Sequence, residues 1–130
     1  MISLEDMQIM LNEIANEFPR ELFLKLNGGI LLLPKEKRNT KVKGGNLYVL
    51  GEYYSGGNMG RYIAIYYGSF KRVYGHVSTE FLRKTLTDTL KHEFTHHLES
   101  LAGEKDLIIK DEQFIKDYLN RKNLKRGNQE

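Results

Sequence analysis

The chain has 130 residues, of which 40% are hydrophobic, and a net charge of +3 with a pI near 9.0. This length supports one domain around a single hydrophobic core. The absence of cysteine excludes disulfides, thiolate metal sites and cysteine nucleophiles, and it fits a cytoplasmic protein. Neither a leader-like N-terminal segment nor an apolar run of about 18 residues is present, so we expect neither secretion nor membrane insertion.

A helix is predicted at the start of the chain. Apolar residues recur at steps of three and four from Leu4 to Phe18. Ser3 is a suitable N-cap, because it precedes this pattern and Asp6 follows three residues later. The helix is expected to end near Glu17, just before Pro19.

Three strands are predicted next. The apolar run 30–33, between two glycines and a proline, predicts a buried strand. After a polar loop at 35–45, the segment 46–54 predicts a second strand. The glycine-rich segment 55–60 predicts a turn before a third strand at 62–67, so the last two strands should form a hairpin.

A long helix is predicted from Ser78 or Thr79 onward, with Gly103 as its stop signal. Its apolar positions form one stripe that should face the core: Leu82, Leu86, Leu90, Phe94, Leu98 and Leu101. A last helix is predicted at 111–120. We therefore expect one domain over residues 1–121 and a basic polar tail at 122–130 that frays.

The segment His92-Glu93-Phe94-Thr95-His96 matches the H-E-x-x-H zinc signature. On a helix, His92 and His96 lie about 40° apart around the axis, so both imidazoles can bind one ion. Glu93 lies about 100° from His92, where it can reach a water on that ion and act as general base. This spacing predicts a zinc-dependent hydrolase with His92 and His96 as metal ligands and Glu93 as the catalytic base.

Neighbouring residues on the same helix receive different predictions. Polar side chains on the histidine face are suited to hydrogen bonds with the unliganded imidazole nitrogens: Thr85, Asp88, Thr89 and Glu99. His97 lies on the apolar arc, so we expect a packed or hydrogen-bonded histidine there rather than a ligand.

Two basic clusters allow a different function. They comprise Lys35, Lys37, Arg38, Lys41 and Lys43, and then Arg121, Lys122, Lys125 and Arg126. Together with the tyrosines between Tyr48 and Tyr74, they are compatible with a nucleic-acid or acidic partner. We favour solvated loops and strand tyrosines instead, because the sequence contains no known nucleic-acid-binding module.

The order of several segments resembles the family of small bacterial zincin-like metallopeptidases. The matching segments are Phe18-Pro19-Arg20-Glu21-Leu22, Leu50-Gly51-Glu52-Tyr53, Arg61-Tyr62-Ile63-Ala64-Ile65-Tyr66, and an H-E-x-x-H-H motif from His92 to His97. This resemblance covers roughly residues 4–107. It implies an α+β zincin-like fold, with a small three- to four-stranded sheet packed against the H-E-x-x-H helix and an N-terminal helix. It also implies that an edge strand holds an extended peptide.

The resemblance bears on a third zinc ligand. The family motif continues as H-E-x-x-H-x-x-G-x-x-D, in which the aspartate binds zinc. Here Gly103 and Asp106 keep the Gly-x-x-Asp pattern but come four residues later, about one helical turn. Asp106 is the first choice for the third ligand. The alternatives are Glu99 on the histidine face, and Asp111 or Glu112 on the following helix.

The sequence therefore predicts a cytoplasmic zinc metallopeptidase that acts on peptide or protein substrates. The main alternative is a non-enzymatic zinc-binding domain that acts through protein partners. In that case Glu99 and Asp106 would both bind the ion and close the site to water.

Overall fold

The computed structural model of the chain describes residues 1–39, 47–104 and 109–129. Within these residues the fold is α+β, with four α-helices, one short 3-10 helix and a three-stranded mixed sheet. In chain order the elements are α1 (Leu4–Glu17), the 3-10 helix (Arg20–Phe23), β1 (Gly29–Leu33), β2 (Gly51–Tyr54), β3 (Tyr62–Tyr66), α2 (Tyr67–Tyr74), α3 (Thr79–Ala102) and α4 (Ile109–Gln129).

The sheet has the strand order β1-β3-β2. β1 and β3 are parallel, and β2 and β3 form the predicted antiparallel hairpin with Gly51 opposite Ile65 and Tyr53 opposite Ile63. The turn between them contains Gly56, Gly57 and Gly60 with positive φ angles, which explains the glycine-rich sequence. β3 is therefore central, and β2 lies at an edge.

The hydrophobic core lies between one face of the sheet and the helices. Every residue of the predicted apolar stripe on α3 is buried, which confirms the orientation of that helix. Other core residues come from α1, β3, α2 and α4: Met7, Met10, Leu11, Ile14, Ile63, Ile65, Phe70 and Ile115.

The ends of the first and third helices also agree with the sequence. The side chain of Ser3 accepts a hydrogen bond from the amide of Asp6, and Ser78 accepts one from the amide of Phe81. These contacts satisfy amides that have no partner within the helix. α3 ends at Gly103, as predicted.

Four elements differ from the sequence-based predictions. β1 is half-buried throughout rather than buried, because it is an edge strand whose Ile30 and Leu32 alone pack on the core. β2 is shorter than 46–54, and Tyr48 instead forms an isolated bridge with Arg38. Tyr67 begins the unpredicted helix α2 instead of ending β3. α4 continues to Gln129, through most of the segment expected to fray.

A search of the described helices found none with the length and apolar character needed to cross a membrane.

Candidate active site

α3 brings the two histidines of the motif together on its exposed side. Their Nε2 atoms lie 3.2 Å apart, and the rings meet nearly at right angles, with centroids 4.7 Å apart. Two imidazoles on one tetrahedral zinc, each about 2.0 to 2.1 Å from the ion, place their nitrogens about 3.3 Å apart. The pair of His92 and His96 therefore fits the separation that zinc requires.

The glutamate of the motif is placed differently from the two histidines. Glu93 is only 5% exposed, whereas His92 and His96 are exposed. All three residues nevertheless line the same cleft. The structure thus places Glu93 as a mostly buried residue of the cleft that both histidines line.

The cleft has a volume of about 650 Å³ and lies between α3 and the edge strand β2. One wall comes from β2 and the residue that follows its end, and the other comes from α3. The residues that line it are Gly51, Glu52, Tyr53, Ser55, His92, Glu93, His96, Glu99 and Ser100. The site therefore combines the helix that carries the histidine pair with a strand edge.

The backbone of β2 turns alternate residues toward this cleft. The carbonyl of Leu50 accepts a hydrogen bond from the amide of Tyr66 on β3. Antiparallel pairing alternates, so Leu50, Glu52 and Tyr54 face β3, while Gly51 and Tyr53 direct their amides and carbonyls outward. No other strand among the described residues pairs with that outer edge.

Tyr53 connects β2 to the helix that carries the motif. Its hydroxyl lies 2.8 Å from Nδ1 of His97, and the two ring centroids are 5.2 Å apart. Burial is the largest influence on this hydroxyl and raises the pKa of Tyr53, whereas interactions with Ser100 and Arg61 act in the opposite direction. The hydroxyl therefore stays protonated near neutral pH.

His97 is a packed, hydrogen-bonded residue, as the sequence predicts. Its side chain is fully buried, and Nε2 lies 2.7 Å from the carbonyl oxygen of Leu24. Because a carbonyl only accepts, Nε2 carries the hydrogen. Burial lowers the pKa of His97, so the ring is neutral and Nδ1 accepts the hydrogen bond from Tyr53.

The third ligand has no observed position. Asp106, the first choice, lies outside the described residues. Glu99 is exposed and lines the cleft, whereas Asp111 and Glu112 are half-buried on α4 and are not among the lining residues. Among the described side chains, no three histidine, aspartate or glutamate residues are grouped closely enough to hold a metal ion. The choice among these residues remains a prediction.

Two threonines predicted to support the imidazoles use their hydroxyl hydrogens within the helix. Thr85 donates its hydroxyl hydrogen to the carbonyl of Phe81, and Thr89 donates to the carbonyl of Thr85. Each threonine oxygen can still accept a hydrogen, and an imidazole bound to zinc through one nitrogen donates from the other, so the predicted support of the histidines stays a prediction. Bonds of this kind to the preceding turn are common for threonine in helices.

The first basic cluster is largely engaged within the protein. Lys37 forms an ion pair with Glu52, whose carboxylate also accepts hydrogen bonds from Tyr54 at 2.7 Å and Tyr66 at 2.8 Å. Lys35 lies over the ring of Tyr66. Through these contacts the basic side chains cover tyrosines of the strands. This supports the interpretation of those tyrosines as structural residues. Lys41 and Lys43 lie outside the described residues.

Ionic contacts also fix the end of α3. Glu104, which follows the helix, binds Lys25 at 2.7 Å and also pairs with Arg61 at the start of β3. Hydrogen bonds from Lys25 and Arg61 lower the pKa of Glu104. The Arg61 of the resembled Arg-x-Ile-x-x-Tyr segment therefore anchors the end of the helix, and it also interacts with Tyr53, which lines the cleft.

Sequence reasoning gives the strand side of the cleft a role only through the resemblance, which implies that an edge strand holds an extended peptide. It assigns no site role to Tyr53, which belongs to the Leu-Gly-x-Tyr segment, or to Ser55 on the strand side, and none to Ser100 on α3. A usable signal was present for Tyr53, because period-two alternation places Gly51 and Tyr53 on the same face of a strand. Nothing local could show that this face meets α3.

Comparisons with known proteins place the chain among proteins of similar fold. No protein-family model matches the chain, and no curated protein does. A solved structure from Thermo thermophilus, described as a conserved hypothetical protein, aligns with a TM-score of 0.68 and 32% sequence identity. The alignment covers 78% of this chain and 98% of that chain. The chain therefore belongs to the same family as this conserved hypothetical protein.

Proposed function

We propose that this chain is a zincin-like metallopeptidase that hydrolyses peptide bonds in the cytoplasm with one zinc ion. One observation carries the proposal: the Nε2 atoms of His92 and His96 lie 3.2 Å apart in a cleft that also holds the shielded carboxylate of Glu93. Imidazole nitrogen is a preferred zinc donor, and three protein ligands with one open place are typical of catalytic zinc. Asp106 completes the ligand set in this proposal.

The chemistry assigned to each group follows from its nature and position. Zinc, when bound, supplies a Lewis acid that polarises a peptide carbonyl and makes water more acidic. Glu93 is the general base, because its carboxylate lines the cleft beside both histidines. It takes a proton from the attacking water and delivers it to the leaving nitrogen.

The free edge of β2 supports a peptide substrate. Gly51 and Tyr53 direct their backbone amides and carbonyls away from β3, and both residues line the cleft with the histidine pair. An extended peptide can pair with such an edge through main-chain hydrogen bonds, which require no particular side chains. Pairing with β2 would hold a backbone carbonyl of the peptide within the cleft, where the proposed zinc ion and Glu93 could act on it.

Substitution of the base tests this function. Glu93→Gln should keep zinc binding and abolish turnover of a defined library of unstructured peptides, because glutamine cannot accept the proton. Glu80→Gln, an exposed glutamate in the first turn of the same helix, is the matched control and should retain activity. Peptide turnover that persists in Glu93→Gln would refute the mechanism.

The second candidate is a non-enzymatic zinc-binding domain that acts through protein partners. It is favoured by the shifted Gly-x-x-Asp segment, which departs from the spacing of the family motif. X-ray absorption at the zinc edge separates the two candidates. Three protein ligands and one water indicate the peptidase, whereas four protein ligands indicate the binding domain.

A further inference from the structure

We infer that Tyr53 and His97 are positioning residues that hold the free edge of β2 at a fixed distance from the histidine pair. This inference rests on the proposed function, because it concerns how a peptide on that edge is placed against the site. It assigns the two residues a role outside the chemical step.

The first argument is the weak lateral support of β2. The strand has four residues and pairs with β3 on one side only among the described residues. Short edge strands are held by few hydrogen bonds and open easily. Contacts with α3 must therefore contribute much of the restraint on the edge that faces the cleft.

The second argument is the nature of the contact between Tyr53 and α3. The hydroxyl of Tyr53 donates to Nδ1 of His97 at 2.8 Å, and Nε2 of His97 donates to the carbonyl of Leu24 at 2.7 Å. These two bonds join β2, α3 and the end of the 3-10 helix in one chain. Because the imidazole at its centre is fully buried, its two ring nitrogens are shielded from water, which strengthens both bonds.

The third argument is the place of His97 in the motif. His97 directly follows His96 on a rigid helix, so a hydrogen bond to its ring fixes Tyr53 relative to the metal-binding face. A misplacement of about 1 Å in a reacting group can reduce a rate by about a hundredfold. The hydrogen bond between Tyr53 and His97 links the edge strand that would hold the peptide to the residue next to the proposed ligand His96. It is therefore suited to prevent such a shift.

The direction of the hydrogen bonds assigns positioning rather than catalysis to Tyr53. Its one hydroxyl hydrogen points to His97, which lies in the core, so that hydrogen does not stabilise charge in the cleft. The aromatic ring lines the cleft, but the polar end of the side chain is used for attachment. Loss of the hydroxyl should therefore loosen the strand without removing a catalytic group.

The test compares Tyr53→Phe with Tyr67→Phe. Tyr67 is the matched control, because its hydroxyl also donates one hydrogen bond, to the carbonyl of Ile2 at 2.6 Å, and it does not line the cleft. Amide hydrogen exchange of zinc-loaded protein is followed at Glu52 and Tyr54, whose amides face β3. We expect exchange at these two amides to be about tenfold faster in Tyr53→Phe than in Tyr67→Phe, with unchanged rates in α1. Equal rates in the two variants, or a uniform increase across the protein, would overturn the inference.

Kinetics on the peptide library give the second readout. Tyr53→Phe should bind zinc as the parent does and lose about tenfold or more in kcat, with a smaller change in KM, because the peptide still pairs with the edge but is misplaced. An unchanged kcat in an active protein would also overturn the inference. If the parent itself hydrolyses no peptide, the proposed function fails, and the exchange experiment alone decides whether Tyr53 holds the strand.

Discussion

A Cβ atom on Gly51 would lie 2.9 Å from Cγ2 of Thr89, so β2 and α3 meet at a contact that only glycine allows. Thr89 lies three residues before His92, and Gly51 lines the cleft. The same hypothetical Cβ would lie 3.1 Å from Cδ1 of Ile65. The close approach of the edge strand to the helix that carries His92 and His96 therefore depends on the missing side chain at residue 51.

Gly51→Ala should destabilise the protein by about 1 to 3 kcal/mol, the usual effect of forcing one extra carbon into a packed contact. Chemical unfolding of parent and variant measures this difference. The double variant Gly51→Ala with Thr89→Ser removes the clashing Cγ2 atom and keeps the hydroxyl. It should recover part of the loss, and a double variant no more stable than Gly51→Ala would contradict the assigned contact.

Glu52 should make the stability of the protein depend on acid pH. Burial acts to raise the pKa of Glu52, but hydrogen bonds from Lys37, Tyr54 and Tyr66 outweigh it and lower the pKa below 4.5. The unfolded chain then binds a proton at Glu52 before the folded chain does. The stabilisation from this carboxylate is present above about pH 4.5 and is lost as the pH falls through the lowered value.

Unfolding measurements across this acid range compare the parent with Glu52→Gln. The variant lacks the titrating group, so its stability should fall less steeply between about pH 5 and pH 3. The two curves should converge at low pH, where the parent carboxylate is protonated. Parallel curves throughout the range would show that Lys37 and the two tyrosines do not stabilise the ionised form.

The third zinc ligand can be identified by comparing two variants. If Asp106 binds the ion, Asp106→Ala should weaken zinc affinity by more than about a hundredfold. Glu99→Ala should weaken it by about tenfold to a hundredfold at most, the range expected when a supporting side chain is lost. Competitive zinc titration measures both values, and an equal or larger loss in Glu99→Ala would assign the ligand to Glu99 instead.

The parts of the site that depend on local spacing could be predicted from the sequence. His92 and His96 share a face because they are four residues apart on a helix, and the burial of His97 follows from its place on the apolar stripe. The cap at Ser78 and the stop at Gly103 are equally local signals. These features depend on residues close to one another in the chain.

The residues on the strand side of the site are set by distant contacts, and the sequence does not identify them; the resemblance implies only that an edge strand holds a peptide. The parallel pairing of β1 with β3, which leaves β2 at the edge, joins segments about 30 residues apart, and no local pattern specifies it. Nor did the sequence predict α2, because its tyrosine and phenylalanine residues also favour strands. Its position is fixed by Ser69, which exchanges hydrogen bonds with the backbone of Lys37.

The most direct test of the central claim is the zinc content of protein purified without added metal, compared with His96→Ala. His76→Ala is the matched control, because His76 is an exposed histidine outside α3. We expect about one zinc per chain in the parent and in His76→Ala, and loss of the zinc in His96→Ala. A parent that contains no zinc and fails to bind added zinc, or a His96→Ala variant that keeps it, would contradict a zinc site at His92 and His96.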